Sequence, residues 1–305
     1  VGHHIPFCRP NLTNLINNLQ PDVIIPLGYH AIASVIGKLW REGSIAFGKG
    51  DPVRRWAGLQ IPMRSPAAWI CPTWAPAMLQ MREDQAMDLW WTRHLKAAFL
   101  LEGKPWQKEK PREYKDEVIS IYDHTDAAKA ITEIYSQELP LSFDYETNCL
   151  KPDDPDTQIV CCSISQRGRR TICYPWVGDA ITATKQMVRS KSPKVGSNIK
   201  FEERWTRRHL GGRVRNWVHD TMLASHVLDP QPGITSIKFQ ALVNLGYPVY
   251  DKHIKPYLES TGSRTKNRIR QIDMRDLLTY CGLDSILEYE VARIQSKKLG
   301  LDLDL

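Results

Sequence analysis

The sequence predicts an α/β protein in two parts joined by a charged linker. Three observations carry this expectation. Short apolar runs of strand length alternate with longer stretches of helical spacing. A segment at 102–116, EGKPWQKEKPREYKD, has two prolines and almost no apolar content. The 305 residues also fit about two domains of roughly 150 each. Hydrophobic residues make up 42% and charged residues 25%, which excludes a mostly disordered chain. No apolar run approaches the roughly 18 residues of a membrane span, and no signal peptide is visible. The seven cysteines have no framework spacing, so most of them read as buried thiols in a reducing cytosol. The chain opens with Val in structured-looking sequence, which reads as a piece of something longer.

Within 1–101, residues 11–20 have helical spacing, and Pro21 to Gly28 read as a short buried strand. Residues 31–40 read as a helix, 45–65 as loop with short strands, and 67–76 as a strand entering a Pro-bounded turn. Residues 77–100 predict one long amphipathic helix. Only two strands are convincing there. The second part, 117–298, is expected to form a mixed central sheet flanked by helices, with 299–305 as a tail. Strands are expected at 117–122 and 139–146, and a hairpin at 159–165 and 171–176. Helices are expected at 126–137, 181–190, 199–210, from Asp220 as an N-cap, and over 273–298.

Three pieces of this second part carry chemistry. On the strand LSFDYET, Asp144 and Glu146 are two residues apart and share one face. Adjacent carboxylates repel unless a cation sits between them, which is what a divalent metal site requires. In GSNIKFEERW, Asn198 and Glu202 stand at i and i+4; in TYCGLDS, Tyr280 and Asp284 do the same. Charge adds a fourth hint. Residues 161–217 hold thirteen Lys and Arg against three acids, a local excess above the +7 of the whole chain. A polyanion is the natural partner for that surface. His219, His226 and His253 have no zinc spacing and read as structural.

FDYETNCL, VGSNIKFEERW and YCGLDS, in this order, resemble the three motifs of the 3′–5′ exonuclease domains with four metal-binding acids and a tyrosine. The proofreading domain of family A DNA polymerases is the type. The resemblance covers about 117–297, including the connectors HDTMLASHVLDP and GITSIKFQALVNLG, and the wording is closest to bacteriophage versions. It implies a ribonuclease-H-like fold, with Asp144, Glu146, Glu202 and Asp284 holding two Mg²⁺ or Mn²⁺ ions. It implies that Tyr280, assisted by Glu146, orients the attacking water, and that Leu150 wedges between terminal bases. Asn198 would steady the second-motif helix or the strand end, and with Leu150 it is counted among the nucleic-acid-binding residues. The second motif usually ends in Asp, so Glu202 is a departure; Asp220 is the alternative fourth ligand, though it reads more readily as a helix cap. Lys200, Arg204, Arg207 and Arg208, and the loop SRTKNRIR at 263–270, are expected to track phosphates, with Trp176, Trp205 and Tyr250 as stacking groups.

CRPNLTNLINNLQPDVIIPLGYHA and ICPTWAPAML resemble the C-terminal half of iron–sulfur-type uracil-DNA glycosylases. Cys8 matches a cluster ligand, but Ala75 stands where that family has histidine and the N-terminal half is absent. The expectation is therefore a remnant used as scaffold or DNA contact. For the whole chain, the resemblances imply a metal-dependent 3′–5′ exonuclease acting on single-stranded or frayed DNA 3′ ends, with a polymerase domain or subunit as partner, in the cytoplasm of a bacterial or phage-infected cell. Two alternatives stay open: a ribonuclease D-like RNA exonuclease, and a catalytically silent nucleic-acid-binding or tethering module.

Overall fold

The computed structural model describes residues 5–37, 39–40, 53–104, 106, 111–167 and 170–305. Residues 45–52 of the expected loop, 105 and 107–110 of the expected linker, and Arg169 of the basic segment lie outside the described residues. The chain divides into two compact units. One comprises 1–112 with 231–234 and 238–249; the other comprises 113–230, 235–237 and 250–305.

The first unit contains α1 (Ile5–Leu19), β1 (Val23–Ile24), α2 (Gly28–Ile36), β2 (Ile61–Arg64), β3 (Ala67–Ile70), α3 (Pro76–Arg82) and α4 (Gln85–Phe99). Its sheet has the order β1-β3-β2, with β3 parallel to β1 and antiparallel to β2. Gly28 opens α2 at φ +79°, and a Cβ there would lie 2.9 Å from that of Ala75, so both backbone and packing call for glycine. The single helix expected over 77–100 is two helices. Glu83 turns left-handed at φ 47°, and the Asp84 carboxylate accepts from the Ala86 N–H, capping a new helix.

The second unit contains β4 (Val118–Ser120), α5 (His124–Tyr135), β5 (Leu141–Thr147), β6 (Ile159–Gln166), β7 (Thr171–Pro175), α6 (Gly178–Arg189), β8 (Lys194–Gly196), α7 (Lys200–Leu210), β9 (Trp217–Asp220) and α8 (Thr221–Leu228). Next along the chain, α9 (Ile237–Leu245) supplies Phe239 and Leu242 to the core of the first unit, where the Phe239 and Trp40 rings meet edge-on at 5.5 Å. The connector GITSIKFQALVNLG thus contributes largely to the first unit's core. Two further helices, α10 (Lys255–Leu258) and α11 (Met274–Lys298), complete the second unit.

The six-stranded sheet of the second unit runs β4-β7-β6-β5-β8-β9. β6 is antiparallel to both of its neighbours, whereas the β4–β7, β5–β8 and β8–β9 pairs are parallel. This is a mixed central sheet flanked by helices. Period-two alternation sorts β5: Phe143 and Tyr145 join the core formed with α5, α6 and α7. The opposite face receives α11, whose Leu277, Leu278 and Cys281 pack with Cys161 and Cys173 of β6 and β7. Caps fix where the helices start: Asp123 accepts from the Thr125 and Asp126 N–H groups, and Asp273 accepts from that of Arg275.

Candidate active site

The alternation that buries Phe143 and Tyr145 turns Ser142, Asp144 and Glu146 toward the other face of β5. Asp144 lies opposite Ser163 of β6, and Glu146 opposite Cys161. Small polar residues line the seam with α11. Ser142 Oγ donates to the Ser285 carbonyl at 2.6 Å, and Ser163 Oγ to the Cys281 carbonyl at 2.7 Å. The Ser163 and Ser285 hydroxyls are also hydrogen-bonded to each other, at 2.6 Å. A Cβ on Gly282 would overlap Cγ1 of Val118 on β4, so the glycine lets the helix close on the strands. The close seam brings Tyr280, Cys281 and Asp284 to the two acids of β5.

One carboxylate oxygen each of Asp144 and Glu146, and the Cys281 sulfur, all lie within 4.8 Å of one another. Tyr280 is buried beside them. Burial first, then the charges of Asp284 and Glu146, pushes its phenol well above the ordinary tyrosine range, so it is a neutral hydrogen-bond donor. Tyr250, read in the sequence as a stacking group, instead donates its hydroxyl to Asp284 Oδ1, with its ring centroid 5.9 Å from that of Tyr280. No local pattern joins Tyr250 to Asp284, 34 residues on; only the fold reveals the pair.

Glu202 comes from the first turn of α7 and is 3% exposed. Among the described residues its Oε2 has no hydrogen-bond partner. Burial, then the nearby Asp144 and Asp220 charges, pushes its carboxyl well above the usual carboxylate range. Asp220 is committed to backbone groups. It caps α8 through Met222 N–H (2.9 Å) and Leu223 N–H (3.3 Å), and accepts Asn198 N–H and Ile199 N–H at 3.1 Å each. Asn198 adopts a left-handed φ of 59° at the entry to α7, a conformation that Asn tolerates. His219 is held by Gln295 at 3.0 Å, in keeping with a structural histidine.

A groove at the entry to α7 is lined by Leu150, Lys151, Asn198, Lys200, Phe201, Arg204, Trp205 and Ser263. Leu150 is 56% exposed there. Arg207 and Arg208 are not among the lining residues; Arg207 is held by Glu203 at 2.7 Å, one turn back on α7. Trp205 corrects the stacking expectation. Although it borders the groove, it is fully buried in the core and lies parallel to His209 at 5.1 Å, so its ring is covered against stacking by a base. It sits three residues after Glu202, on the buried side of the helix. Trp176 is partly buried against the same core.

Asp144 and Glu146 place hard oxygen donors within the span of one ion, and the buried Glu202, on which the Asp144 charge acts, keeps an orphan oxygen. Carboxylate oxygens of this kind suit divalent cations. Comparison with curated proteins finds no match. Among solved structures, the catalytic core of RRP6 from Trypanosoma brucei is similar at 17% identity and TM-score 0.46, over 60% of this chain and 47% of that one. RNase D of Escherichia coli is similar at 11% identity and TM-score 0.45, over 60% and 46%. The POL domain of Pol1 from M. smegmatis is similar at 10% identity and TM-score 0.43, over 59% and 27%. The chain thus spans about half the length of the first two structures, and about a quarter of the third. Residues 118–299 match the family model described as 3′-5′ exonuclease, and the chain belongs to that family.

Proposed function

We propose that the chain removes nucleotides one at a time from DNA 3′ ends, as the proofreading part of a phage-type family A polymerase, with Mg²⁺ or Mn²⁺ bound by Asp144, Glu146, Glu202 and Asp284. The observation that supports the reading is the pairing of Asp144 and Glu146 on β5 within one ion's span, with the charge of Asp144 acting on the buried Glu202 of α7 and those of Asp284 and Glu146 acting on Tyr280. Such a cluster is unfavourable bare, and a divalent cation turns that repulsion into attraction. Two bound ions would supply an activated water and charge neutralisation at the leaving 3′-oxygen.

The chain's own residues do the rest. Tyr280, neutral at working pH, offers its hydroxyl to orient a water, and Glu146 is a nearby acceptor for that water's proton. Tyr250 donates to one oxygen of Asp284 and so orients that carboxylate. Lys200 and Arg204 border the groove on the phosphate side, and Leu150 offers an exposed apolar edge to the terminal base. The first unit serves as scaffold or DNA contact and excises no uracil, because Ala75 has no polar group to support a departing anion.

The test is incubation of 3′- and 5′-labelled DNA and RNA single strands with Mg²⁺, and with chelator. Expected is stepwise shortening of DNA from the 3′ end, abolished by chelator and by Asp144→Ala in a folded protein. Unchanged release by Asp144→Ala defeats the site assignment, and faster loss from RNA replaces DNA as the substrate.

A further inference from the structure

The thiol of Cys281 has no part in that mechanism, yet it lies within the acid cluster. Its Sγ is 3.8 Å from Asp144 Oδ2 and 3.3 Å from Ser163 Oγ, and the residue is fully buried. Sulfur and two carboxylates within 4.8 Å of one another occupy the span of a single ion's coordination shell. A second observation, from α7, bears on the same Asp144. Glu202 is more than nine-tenths buried, its Oε2 has no hydrogen-bond partner among the described residues, and Asp144 is the first charge acting on it.

Donor softness decides which ions such a set prefers. Carboxylate oxygens suit Mg²⁺ and Mn²⁺, whereas a thiolate selects thiophilic ions such as Zn²⁺ and Cd²⁺. We propose, resting on the reading of these carboxylates as a cation site, that Cys281 with Asp144 and Glu146 forms a mixed sulfur–oxygen site for a soft divalent cation, which displaces Mg²⁺ or Mn²⁺. On binding, the S–H bond breaks, a metal–sulfur bond forms, and the proton leaves to solvent. The enzyme is therefore inhibited by thiophilic ions at concentrations that an all-oxygen site tolerates. In the sequence this residue is only the small neighbour of Tyr280; the seam with β5 turns its sulfur onto Asp144.

The test uses the full chain carrying Cys8→Ser, which removes an exposed thiol. Cd²⁺ is titrated while the ultraviolet sulfur-to-cadmium charge-transfer band is read, and bound Mn²⁺ is followed by electron paramagnetic resonance. The titration is repeated with Cys281→Ser and Cys281→Ala, two variants of different volume, each checked for native circular dichroism. Expected is a saturable band in the parent that disappears in both. Cd²⁺ should also displace Mn²⁺ from the parent at a concentration at least about tenfold lower than from the variants. A band of undiminished amplitude in either folded variant, or an unchanged displacement concentration, overturns the proposal. Asp144→Asn separates the two readings. Joint loss of Cd²⁺ and Mn²⁺ affinity supports both, and Cd²⁺ affinity untouched by Asp144→Asn overturns the mixed site. A Cd²⁺ band that needs Cys281 and Asp144, in a protein that hydrolyses no nucleic acid with Mn²⁺, upholds the mixed site and refutes the exonuclease reading.

Discussion

Glu202 and Asp220 compete on paper for the fourth ligand position, and their surroundings separate them. Asp220 accepts four backbone N–H groups, spanning the entries to α7 and α8. Asp220→Asn should cost about 1–3 kcal/mol of stability, read as a lowered urea midpoint, with little change in the Mn²⁺ concentration for half-maximal rate. Glu202→Gln keeps the volume and removes a charge that burial and Asp144 already disfavour. Its metal-free stability should not fall, while its Mn²⁺ requirement rises by about tenfold or more. The reverse pattern would make Asp220 the ligand. The two tyrosines divide in the same way. Tyr280→Phe should slow turnover by about 10- to 1000-fold at an unchanged Mn²⁺ requirement. Tyr250→Phe acts through Asp284, so it should raise the Mn²⁺ requirement as well. Identical metal titrations for the two variants would remove that distinction.

The element that assembles the site is α11, and its close approach depends on small residues. Gly282→Ala places a methyl against Val118 and should cost about 1–3 kcal/mol. Exonuclease rate should fall with it, because Tyr280 and Asp284 flank the displaced turn; a rate unchanged in a destabilised protein would show that the seam does not set the site. Two of the motif-bearing elements are legible in the sequence because each depends on a short period, two along β5 and four along α11. Asn198, by contrast, stands before α7 with a left-handed backbone, so its spacing to Glu202 is not a helical period. What escapes sequence reading depends on long-range packing. Tyr250 meets Asp284 across a loop, Phe239 leaves the motif region for another core, and Trp205 is buried although basic residues surround it in sequence. The break at Glu83–Asp84 is different, since its capping aspartate is visible but sits inside a continuous helical pattern. A similar buried oddity on β8 gives a pH test. Lys194 is fully buried and donates to the Ser190 carbonyl and hydroxyl at 2.8 and 3.1 Å. Burial, aided by Arg215, lowers its pKa from 10.5 to about 8. Between those values the unfolded chain holds a proton that the native one has released, so this group's contribution to stability rises with pH. Compared with Lys194→Met, wild type should therefore gain in urea midpoint from pH 8 to 10.5; a constant difference between the two proteins would refute the shift.

At the scale of the whole molecule, the balance of charge sets how a nucleic acid is held. The net charge is +7, and among the described residues no helix is long and apolar enough to cross a membrane. Many of the basic side chains are already engaged. Arg204 is paired with Asp153, Arg207 with Glu203, and Lys266 with Asp156. Each must give up a local carboxylate before it can neutralise a phosphate, so the number of cations in the basic segment overstates the number of phosphate contacts. Lys200 is exposed and lines the groove beside Leu150 and Asn198. Each phosphate neutralised on a single strand contributes about 0.7 to the slope of log affinity against log salt. Oligonucleotide affinity, measured by fluorescence anisotropy in the Asp144→Ala background to prevent degradation, should lose about that much slope in Lys200→Ala. Arg207→Ala should lose clearly less, because its guanidinium leaves one anion to meet another and releases fewer counterions in the exchange. Equal losses for the two variants would mean that the strand runs along the outer face of α7, where Arg207 and Arg208 project, and not through the groove between Leu150 and Lys200.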